Sequence, residues 1–235
     1  MATPTRPTVR ERVRAEMTDE ITRVAREQLA RQGANLSMRA VAREVGVVSS
    51  ALYRYFPSRD ELLTALVLHA YRELAVAATA AEATAPREDP AGRWAALCHG
   101  IRGWAQAHPH EYALLYGTPV PGYAAPPETV EPASVPLLLM VAIMREALAE
   151  GRSRPRPQPP MGQTLRASFL AIAASPGLQG GTAEDMARLS IAWTAVFGAI
   201  SFELFGRLQG AGLDYDAWFA YQVQALATDL GLVDP

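Results

Sequence analysis

Apolar residues recur at intervals of three and four along most of the chain, and no stretch alternates apolar with polar residues. The first such stripe begins with Ile21, Val24 and Ala25, a pattern that gives a helix one apolar face. Because a half-buried β-strand needs a period of two, the sequence predicts an all-α fold. The predicted helices cover residues 18–32, 38–45, 49–56, 59–85, 89–108, 110–117, 137–150, 161–174, 182–208 and 214–230.

Residues that start or stop helices set these boundaries. Thr18 is predicted to cap the first helix, because its hydroxyl group can accept a hydrogen bond from a free backbone N–H. Gly46 provides a tight turn, and Pro57 ends the third helix because proline cannot extend the hydrogen-bond ladder. Two proline-rich stretches follow later: residues 118–136 are predicted to form a loop, and residues 152–160 an exposed and mobile break.

Charge is distributed unevenly along the chain, which has 235 residues, 22 basic residues that are all arginine, and 24 acidic residues. Residues 1–72 carry 12 arginines against 8 acids, whereas residues 73–235 carry 10 arginines against 16 acids. A basic head on an acidic body is typical of a protein that binds a polyanion. Compositional drift along the chain is an equally good explanation of the charge alone.

Several classes of protein conflict with the sequence. A single cysteine, Cys98, excludes an internal disulfide framework and a multi-cysteine zinc site. No uninterrupted apolar run approaches the roughly 18 residues of a membrane span, and the N-terminus lacks a signal-peptide core. His108 and His110 flank Pro109, and no glycine loop or nucleophile motif of an enzyme is present. We therefore expect a cytoplasmic protein without metal, cofactor, catalytic residues or membrane segment.

Residues 37–56 have the spacing of a helix-turn-helix. In such a unit a short first helix supports a second helix, which lies in the major groove of DNA. Leu52 and Phe56 are four residues apart and give the second helix an apolar inner side. Tyr53 and Arg54 are left to project elsewhere, where they suit contacts with phosphates and bases better than a core. The spacing therefore predicts DNA binding.

The block SMRAVAREVGVVSSALYRYFPSRDELL at residues 37–63 makes this indication specific. It resembles the DNA-binding signature of the TetR family of bacterial regulators, and the resemblance covers residues 18–66. Val48 departs from the family pattern, which has Ser or Thr there to cap the recognition helix, and we expect Ser49 to provide the cap instead. The resemblance implies a flexible basic arm at 1–17, a DNA-binding domain at 18–66 and a helical effector-binding and dimerisation domain at 67–235.

A weaker resemblance lies in the C-terminal part of the chain. The segments YALLYGTPVPGY at 112–123 and AWTAVFGAISFELFG at 192–206 are similar to a TetR-type regulatory domain named after a Trp-His-Gly motif. Phe197 stands where that motif has its histidine, and Gly198 follows it. No role of the histidine is therefore carried over to this chain.

The family resemblance also implies which residues contact DNA. Candidates for base contacts are Ser49, Ser50 and Arg54 on the recognition helix. Candidates for phosphate contacts, three of them near helix N-termini where free N–H groups attract anions, are Ser37, Arg39, Tyr53, Tyr55 and Arg59. The alternatives are interhelical packing for Tyr53 and plain surface charge for Arg39 and Arg59. For the N-terminal arginines a solvated arm is favoured over DNA contact; they are Arg6, Arg10, Arg12 and Arg14.

A palindromic duplex site is read best by a two-fold dimer, whose recognition helices lie about 34–36 Å apart. With the family resemblance, a four-helix contact between the last two helices of each copy is favoured, although such helices more often complete a domain's own core. The interface candidates are Phe197, Ile200, Leu204, Phe219, Val223 and Leu226.

An effector pocket is expected in the body of the protein, where aromatic and methionine side chains are concentrated. The candidates are Trp94, Trp104, Tyr112, Tyr116, Met140, Met144, Phe169 and Trp193. Each of them taken singly fits an ordinary core better, and the scarcity of charge favours a small, largely apolar ligand. The sequence thus predicts a transcriptional repressor that an effector releases from its operator. An architectural DNA-binding protein and an all-α enzyme are the alternatives.

Overall fold

A computed structural model describes residues 8–32, 36–175, 177–179, 181–210 and 212–233. Within these ranges the chain forms ten α-helices and one 3-10 helix but no β-strand, which confirms the all-α prediction. The α-helices are α1 (Val9–Gln32), α2 (Met38–Val45), α3 (Ser49–Leu52), α4 (Arg59–Glu82), α5 (Pro90–Ala107), α6 (Pro109–Tyr116), α7 (Val130–Ala149), α8 (Gln163–Ala173), α9 (Ala183–Leu204) and α10 (Tyr215–Asp229). The 3-10 helix, Pro127–Thr129, directly precedes α7.

Helix α1 begins well before its predicted start. The Thr8 hydroxyl accepts a hydrogen bond from the backbone N–H of Glu11 (3.2 Å), and the Glu11 carboxylate accepts one from the backbone N–H of Thr8 (2.7 Å). This reciprocal pair is a capping box. The predicted cap at Thr18 is wrong, because its hydroxyl donates to a carbonyl one turn earlier inside the helix. Of the predicted flexible arm, residues 9–17 are helical, and residues 1–7 lie outside the described residues.

A tight turn separates α2 from α3. Gly46 ends α2 with φ at 80°, a left-handed conformation that glycine adopts because it has no Cβ to clash. Val48 holds the N-cap position of α3 without a side-chain hydrogen bond, so the expectation that Ser49 caps this helix is wrong. After Leu52 the chain continues in tighter turns, in which the N–H groups of Arg54 and Tyr55 donate to carbonyls only three residues earlier, those of Ala51 (3.1 Å) and Leu52 (2.9 Å). The recognition segment is therefore shorter as an α-helix than predicted.

The chain divides into two compact units. The first consists of Met1–Tyr71 and Pro109–Thr129, and the second of Arg72–His108 and Val130–Pro235, each as far as the structure describes them. The sequence predicts a single boundary after residue 66 instead. The difference arises because α6 and the segment after it supply side chains to the core of the first unit.

The core of the first unit is built mainly from α1 to α4. Ile21, Val41, Leu52 and Leu62 are completely buried in it, and Val120 from the segment after α6 joins them. Burying one such side chain contributes about 1.5–3 kcal/mol. Because Leu52 lies in this core, the opposite side of α3 is directed to solvent.

The second unit is held together by buried aromatic and charged groups. The indole N–H of Trp94 on α5 donates to the carbonyl of Val223 on α10 (3.0 Å). The Arg102 guanidinium on α5 donates two hydrogen bonds of 2.7 Å to the Glu203 carboxylate on α9. This pairing lowers the pKa of the Glu203 carboxyl. The contacts fix α5 against both C-terminal helices.

Helix α7 begins at Val130, so the predicted loop 118–136 ends earlier than expected. Pro132 lies in the first turn of α7, where a missing N–H costs no intrahelical hydrogen bond. Pro136 lies farther inside the helix and is buried. Helix α7 nevertheless continues through this second proline to Ala149.

The proline-rich stretch 152–160 is anchored to the second unit, in contrast to the predicted mobile break. The Ser153 hydroxyl donates to the Leu230 carbonyl (3.1 Å), and the backbone N–H of Arg154 donates to the Gly231 carbonyl (3.0 Å). The Arg188 guanidinium on α9 donates to the backbone carbonyl of a further residue of the stretch (2.9 Å). Hydrogen bonds to backbone carbonyls therefore hold a segment that its composition marked as mobile.

Three helical stretches of the described chain are long and apolar enough to cross a membrane by length and composition: Arg59–Glu82, Pro127–Ala149 and Ala183–Leu204. The sequence expectation concerned uninterrupted apolar runs, and the absence of a membrane segment stays a prediction. Between 33% and 39% of the most apolar window of each is buried inside the protein.

Candidate nucleic-acid interface

The recognition segment turns its apolar residues inward and its polar residues outward. Leu52 is completely buried and Phe56 is 6% exposed. Ser50, Tyr53 and Arg54 are exposed, with 46% of Tyr53 accessible. The outward side of the segment therefore presents a hydroxyl, a phenol and a guanidinium, groups that can donate to base edges and phosphate oxygens.

The two other recognition-segment candidates are less accessible. Ser49, the first helical residue of α3, is half-buried. The ring of Tyr55 is half-buried and packs against the core of the first unit. The guanidinium of Arg14 lies over this ring, 5.4 Å from its centroid, a cation–π contact. Tyr55 is thus held by contacts with both the core and Arg14, and only part of its side chain is accessible.

The flanking helices supply the remaining candidates. Ser37 is exposed and caps α2, where its side chain accepts a hydrogen bond from the backbone N–H of Ala40 (3.4 Å). Arg39, also on α2, is exposed. Arg59 at the start of α4 is half-buried, and its Nε donates to the Leu36 carbonyl (3.2 Å). Arg59 therefore braces the chain before α2, so part of its hydrogen-bonding capacity is already used.

Sequence reasoning missed the position of Arg14. Its Nη2 donates to the backbone carbonyl of Arg54 (3.2 Å), so α1 and the end of the recognition segment are joined directly. The signal was present in the sequence, because Thr8 and Glu11 have the spacing of a capping box. That spacing predicts a helix start ahead of Arg14, whereas a flexible arm would leave this arginine unplaced.

The eight predicted pocket residues do not all lie in one unit. Tyr112 and Tyr116 belong to the first unit, and the other six belong to the second. Tyr112 packs at 5.1 Å from Tyr116, between ring centroids, and is completely buried. Burial raises the pKa of Tyr116. These two tyrosines are therefore part of the packing of the first unit.

Within the second unit, Trp94, Met140 and Met144 are 1% exposed and serve as core. Trp193 is half-buried against the ring of Phe197, at 4.2 Å between centroids. Trp104 is 6% exposed, and its buried indole N–H has no hydrogen-bond partner among the described residues. Among the predicted pocket residues of the second unit, Trp104 is therefore the one whose side chain has a buried donor without a partner in the described part of the chain.

Phe169 lies apart from that core, on a groove of about 400 Å³. The groove is bounded by residues 158–161, α8 and α9, and Leu165 and Ile191 contribute apolar surface to it. It opens on the outside of the second unit, because Leu165 and Ile191 are 53% and 55% exposed. Phe169 therefore belongs to a surface groove and does not line an internal pocket with the tryptophans.

The predicted dimer residues are mostly part of the core of a single chain. Ile200 is completely buried, and Phe197, Phe219, Val223 and Leu226 are between 2% and 8% exposed. Leu204, the sixth candidate, is half-buried. The assignment of the five buried residues to an interface is wrong, because their apolar faces are covered by neighbouring helices of the same unit. The spacing of three and four residues between these candidates marks the inward sides of α9 and α10.

The outward sides of the same two helices carry other large apolar residues. Ile191 and Phe202 on α9 are 55% and 52% exposed, and Trp218 and Tyr221 on α10 are 39% and 65% exposed. The rings of Trp218 and Tyr221 stack with centroids 6.0 Å apart. Gly198, between the two α9 residues, has nothing within 4 Å of a Cβ placed on it. These five residues are called here the outer apolar face; its four large side chains are exposed in the single chain, and Gly198 is half-buried.

Two observations on the described residues concern metal binding and the single cysteine. Among them, no group of three or more His, Cys, Asp or Glu side chains is placed to hold a metal ion. Cys98 is completely buried, and burial raises the pKa of its thiol, which disfavours the reactive thiolate.

Comparison with known families agrees with the helix-turn-helix geometry. Residues 21–66 match the model described as bacterial regulatory proteins, tetR family. Residues 94–226 match the model described as tetracyclin repressor-like, C-terminal domain. The first match contains α2, α3 and the turn between them, and the second extends from α5 through most of α10.

Individual relatives give the same result. The chain is 35% identical over 228 residues to HTH-type transcriptional regulators of Mycobacterium tuberculosis and Mycobacterium bovis, which covers 91% of this chain and 94% of each relative. The crystal structure of the regulatory protein SCO4313 has a TM-score of 0.75 at 32% identity, over 94% of this chain and all of that one. A structure of RolR in complex with resorcinol shares the fold alone, with a TM-score of 0.52 at 15% identity over 94% of each chain. The protein belongs to the TetR family and is a transcriptional regulator with a helix-turn-helix DNA-binding domain.

Proposed function

We propose that the protein is a repressor that binds a palindromic operator as a homodimer and leaves it when a small, largely apolar effector binds. The observation that carries the DNA-binding part is the outward side of the recognition segment, where Ser50, Tyr53 and Arg54 are exposed above the buried Leu52. Such a segment can enter a major groove without unpacking its own core. This is the family's general mode of action, and repression is its default outcome.

The polar groups divide into two roles in this proposal. Arg54, with Ser49 and Ser50, reads base edges, because a guanidinium can donate two parallel hydrogen bonds to guanine. Phosphate contacts come from the residues around it and fix the orientation of the domain on the duplex. These phosphate-contact residues are Ser37, Arg39, Tyr53, Tyr55 and Arg59. The bond from Arg59 to the Leu36 carbonyl supports this role, because it fixes the arginine beside the start of α2.

The homodimer forms, in this proposal, through the outer apolar face of α9 and α10. Four of its five members are large and exposed in the single chain, and the fifth, Gly198, leaves room for close approach of a second helix. Scattered exposed apolar residues are normal, but several on two adjacent helices favour an interface. A two-fold contact of this kind would place two recognition segments on one palindrome.

The effector is assigned to the second unit, around Trp104. Its buried indole N–H has no partner among the described residues, and a buried donor left unpaired costs about 1–3 kcal/mol. An apolar molecule with one hydrogen-bond acceptor would satisfy this group. RolR, which shares the fold, is crystallised with the small phenol resorcinol, and small phenols are therefore a reasonable first panel.

Release follows from linkage between the two sites. An effector that prefers the arrangement with poor DNA affinity lowers that affinity, and DNA lowers effector affinity by the same factor. Coupling of about 1–3 kcal/mol changes binding about 5- to 150-fold. The site of action is the cytoplasm, where the DNA of a bacterial cell lies, and no catalysis is involved.

The test begins with footprinting of the full chain on the DNA that flanks its own gene. A protected palindrome whose affinity falls when a phenol from the panel is added supports the proposal. A footprint without sequence preference favours an architectural protein, and turnover of a panel member favours an enzyme. Binding of operator and ligand with no mutual effect would refute effector release.

A further inference from the structure

The first two turns of α1 and the end of the recognition segment enclose a cleft of about 550 Å³ within the first unit. Three of its six lining residues are arginines and none is acidic. The lining residues are Val9, Arg10, Val13, Arg14, Arg54 and Tyr55. We call this set the basic cleft. Its position was not predicted, because the sequence assigned the first two of these arginines to a flexible arm.

The basic cleft is fixed to the recognition segment by Arg14. One guanidinium nitrogen of Arg14 donates to the Arg54 carbonyl (3.2 Å), and the same group lies over the Tyr55 ring. These contacts hold the cleft in a defined position next to the exposed Arg54 side chain. Arg10 lies one turn earlier on the same face of α1 and is exposed.

The acidic residues of the same part of α1 do not neutralise the cleft. Glu11 accepts hydrogen bonds from Thr8 at the start of the helix. Glu16 lines a separate cleft that also contains Arg23. Positive charge is therefore concentrated on the side of α1 that adjoins the recognition segment.

We propose that the basic cleft binds a backbone phosphate of DNA beside the major-groove site, so that Arg10 and Arg14 lengthen the footprint of each subunit. The inference rests on the proposed function, because Arg54 defines which side of the domain meets the duplex. Guanidinium groups bind phosphate oxygens in bidentate fashion, and Arg10 and Arg14 provide two of them at a cleft whose lining holds no acidic residue. The third arginine of the lining, Arg54, is left for base contacts. A phosphate contact adds affinity that does not depend on base sequence.

The test measures the salt dependence of DNA binding for the full chain. The probe is a fluorescent duplex selected by the unmodified protein from a random library, with a scrambled duplex of the same length beside it. Arg10→Ala is compared with Arg12→Ala, which removes the same charge from the same helix but does not line the cleft. Because each subunit of the Arg10→Ala dimer neutralises one phosphate fewer, the slope of log K against log salt falls by about 2. The slope stays unchanged for Arg12→Ala.

Further outcomes separate this inference from the proposed function. Arg10→Lys keeps the charge and is expected to restore the slope, which a merely structural role of Arg10 in the helix would not require. Equal slopes for Arg10→Ala and Arg12→Ala overturn the basic cleft as a phosphate site. If Arg54→Ala still loses preference for the selected duplex in that case, the proposed function stands. An unmodified protein without preference for any duplex overturns both.

Discussion

The hydroxyl groups of Tyr123 and Thr64 lie 3.1 Å apart, and this hydrogen bond ties the segment after α6 to α4 within the first unit. Val120, three residues before Tyr123, is buried in the same core. The DNA-binding core is therefore completed by residues that follow it in the sequence by more than one helix. Substitutions that remove this hydrogen bond therefore measure how much the distant segment stabilises the core.

We expect Tyr123→Phe and Thr64→Val each to lower the free energy of unfolding. A partly buried hydrogen bond between neutral groups contributes about 0.5–1.5 kcal/mol, and the double variant should lose less than the sum of the two. Urea denaturation of all four proteins measures the coupling in a double-mutant cycle. Strictly additive losses would show that the two hydroxyls do not interact in solution.

Arg54→Ala should relax base preference, whereas Tyr53→Phe should weaken binding to all duplexes alike. Removing a bidentate bond to a base costs about 1–3 kcal/mol at the cognate sequence, but a phosphate contact carries no sequence information. Fluorescence anisotropy titrations on selected and scrambled duplexes measure the affinity and the base preference of each variant. Arg145→Ala, an exposed arginine of the second unit, is the control, and similar losses on both duplexes for both variants would refute the division of roles.

Gly46→Ala should destabilise the protein although the space for a Cβ is free. The φ of 80° lies in the left-handed region, where an L-residue costs about 1–2 kcal/mol. Gly103→Ala is the matched control, because Gly103 lies inside α5 with nothing within 4 Å of a new Cβ. There the change should stabilise by about 0.5–1 kcal/mol. Thermal melts measure the change in melting temperature for Gly46→Ala and for Gly103→Ala. Changes of the same sign in both variants would contradict the explanation by backbone conformation.

Glu203→Gln should lower the free energy of unfolding at neutral pH, and this loss should be smaller at acidic pH. Hydrogen bonds from Arg102 hold the pKa of the Glu203 carboxyl below its ordinary value of 4.5. Its stabilisation is therefore complete above that value and is lost as the pH falls through the lowered pKa. We expect the free energy of unfolding to fall by about 3 kcal/mol at pH 7. This value is at the lower end of the range for a broken buried ion pair, because Asp216 still pairs with Arg102 in the variant.

The measurement is urea denaturation between neutral pH and about pH 3, a range that spans an ordinary Glu pKa. The difference in free energy of unfolding between Glu203→Gln and the unmodified protein should become smaller as the pH falls. Glu184→Gln removes the exposed pair with Arg166 and should change little. A gap that is constant with pH would mean that the charge of Glu203 is not what stabilises the fold.

Trp94→Phe should cost more stability than Trp104→Phe. Both changes remove similar buried area, but Trp94→Phe also removes the hydrogen bond that the indole N–H donates to the Val223 carbonyl. Trp104→Phe removes a donor that has no partner among the described residues. The difference should be about 1–2 kcal/mol in denaturant unfolding. Equal losses would show that the indole N–H of Trp104 finds a partner in solution.

The recognition segment was largely predictable because its information is local. Gly46 marks the turn, and Leu52 with Phe56 marks the buried side, as the structure confirms. Its length was not predictable from periodicity, since the change to tighter turns after Leu52 depends on how the segment packs. The start of α1 was missed for another reason: Thr18 and Thr8 are both good caps by composition, and only the partner Glu11 separates them.

The C-terminal predictions erred where local pattern does not determine which partner covers an apolar face. The stripe that contains Phe197 and Ile200 is real, but it meets helices of the same unit. Aromatic composition likewise cannot tell a pocket from a core, so Trp94 and Phe169 were grouped together although they lie in different surroundings. The proline-rich stretch 152–160 was expected to be mobile because its anchors, such as the Leu230 carbonyl, lie far away in the sequence.

The insertion of Pro109–Thr129 into the first unit has a consequence for how the protein is made. During translation all residues of α1 to α4 are synthesised before Val120 and Tyr123. The core position that Val120 occupies in the DNA-binding unit therefore stays empty until more than half of the chain has been synthesised. A fragment that stops at Tyr71 would carry the same vacancy permanently.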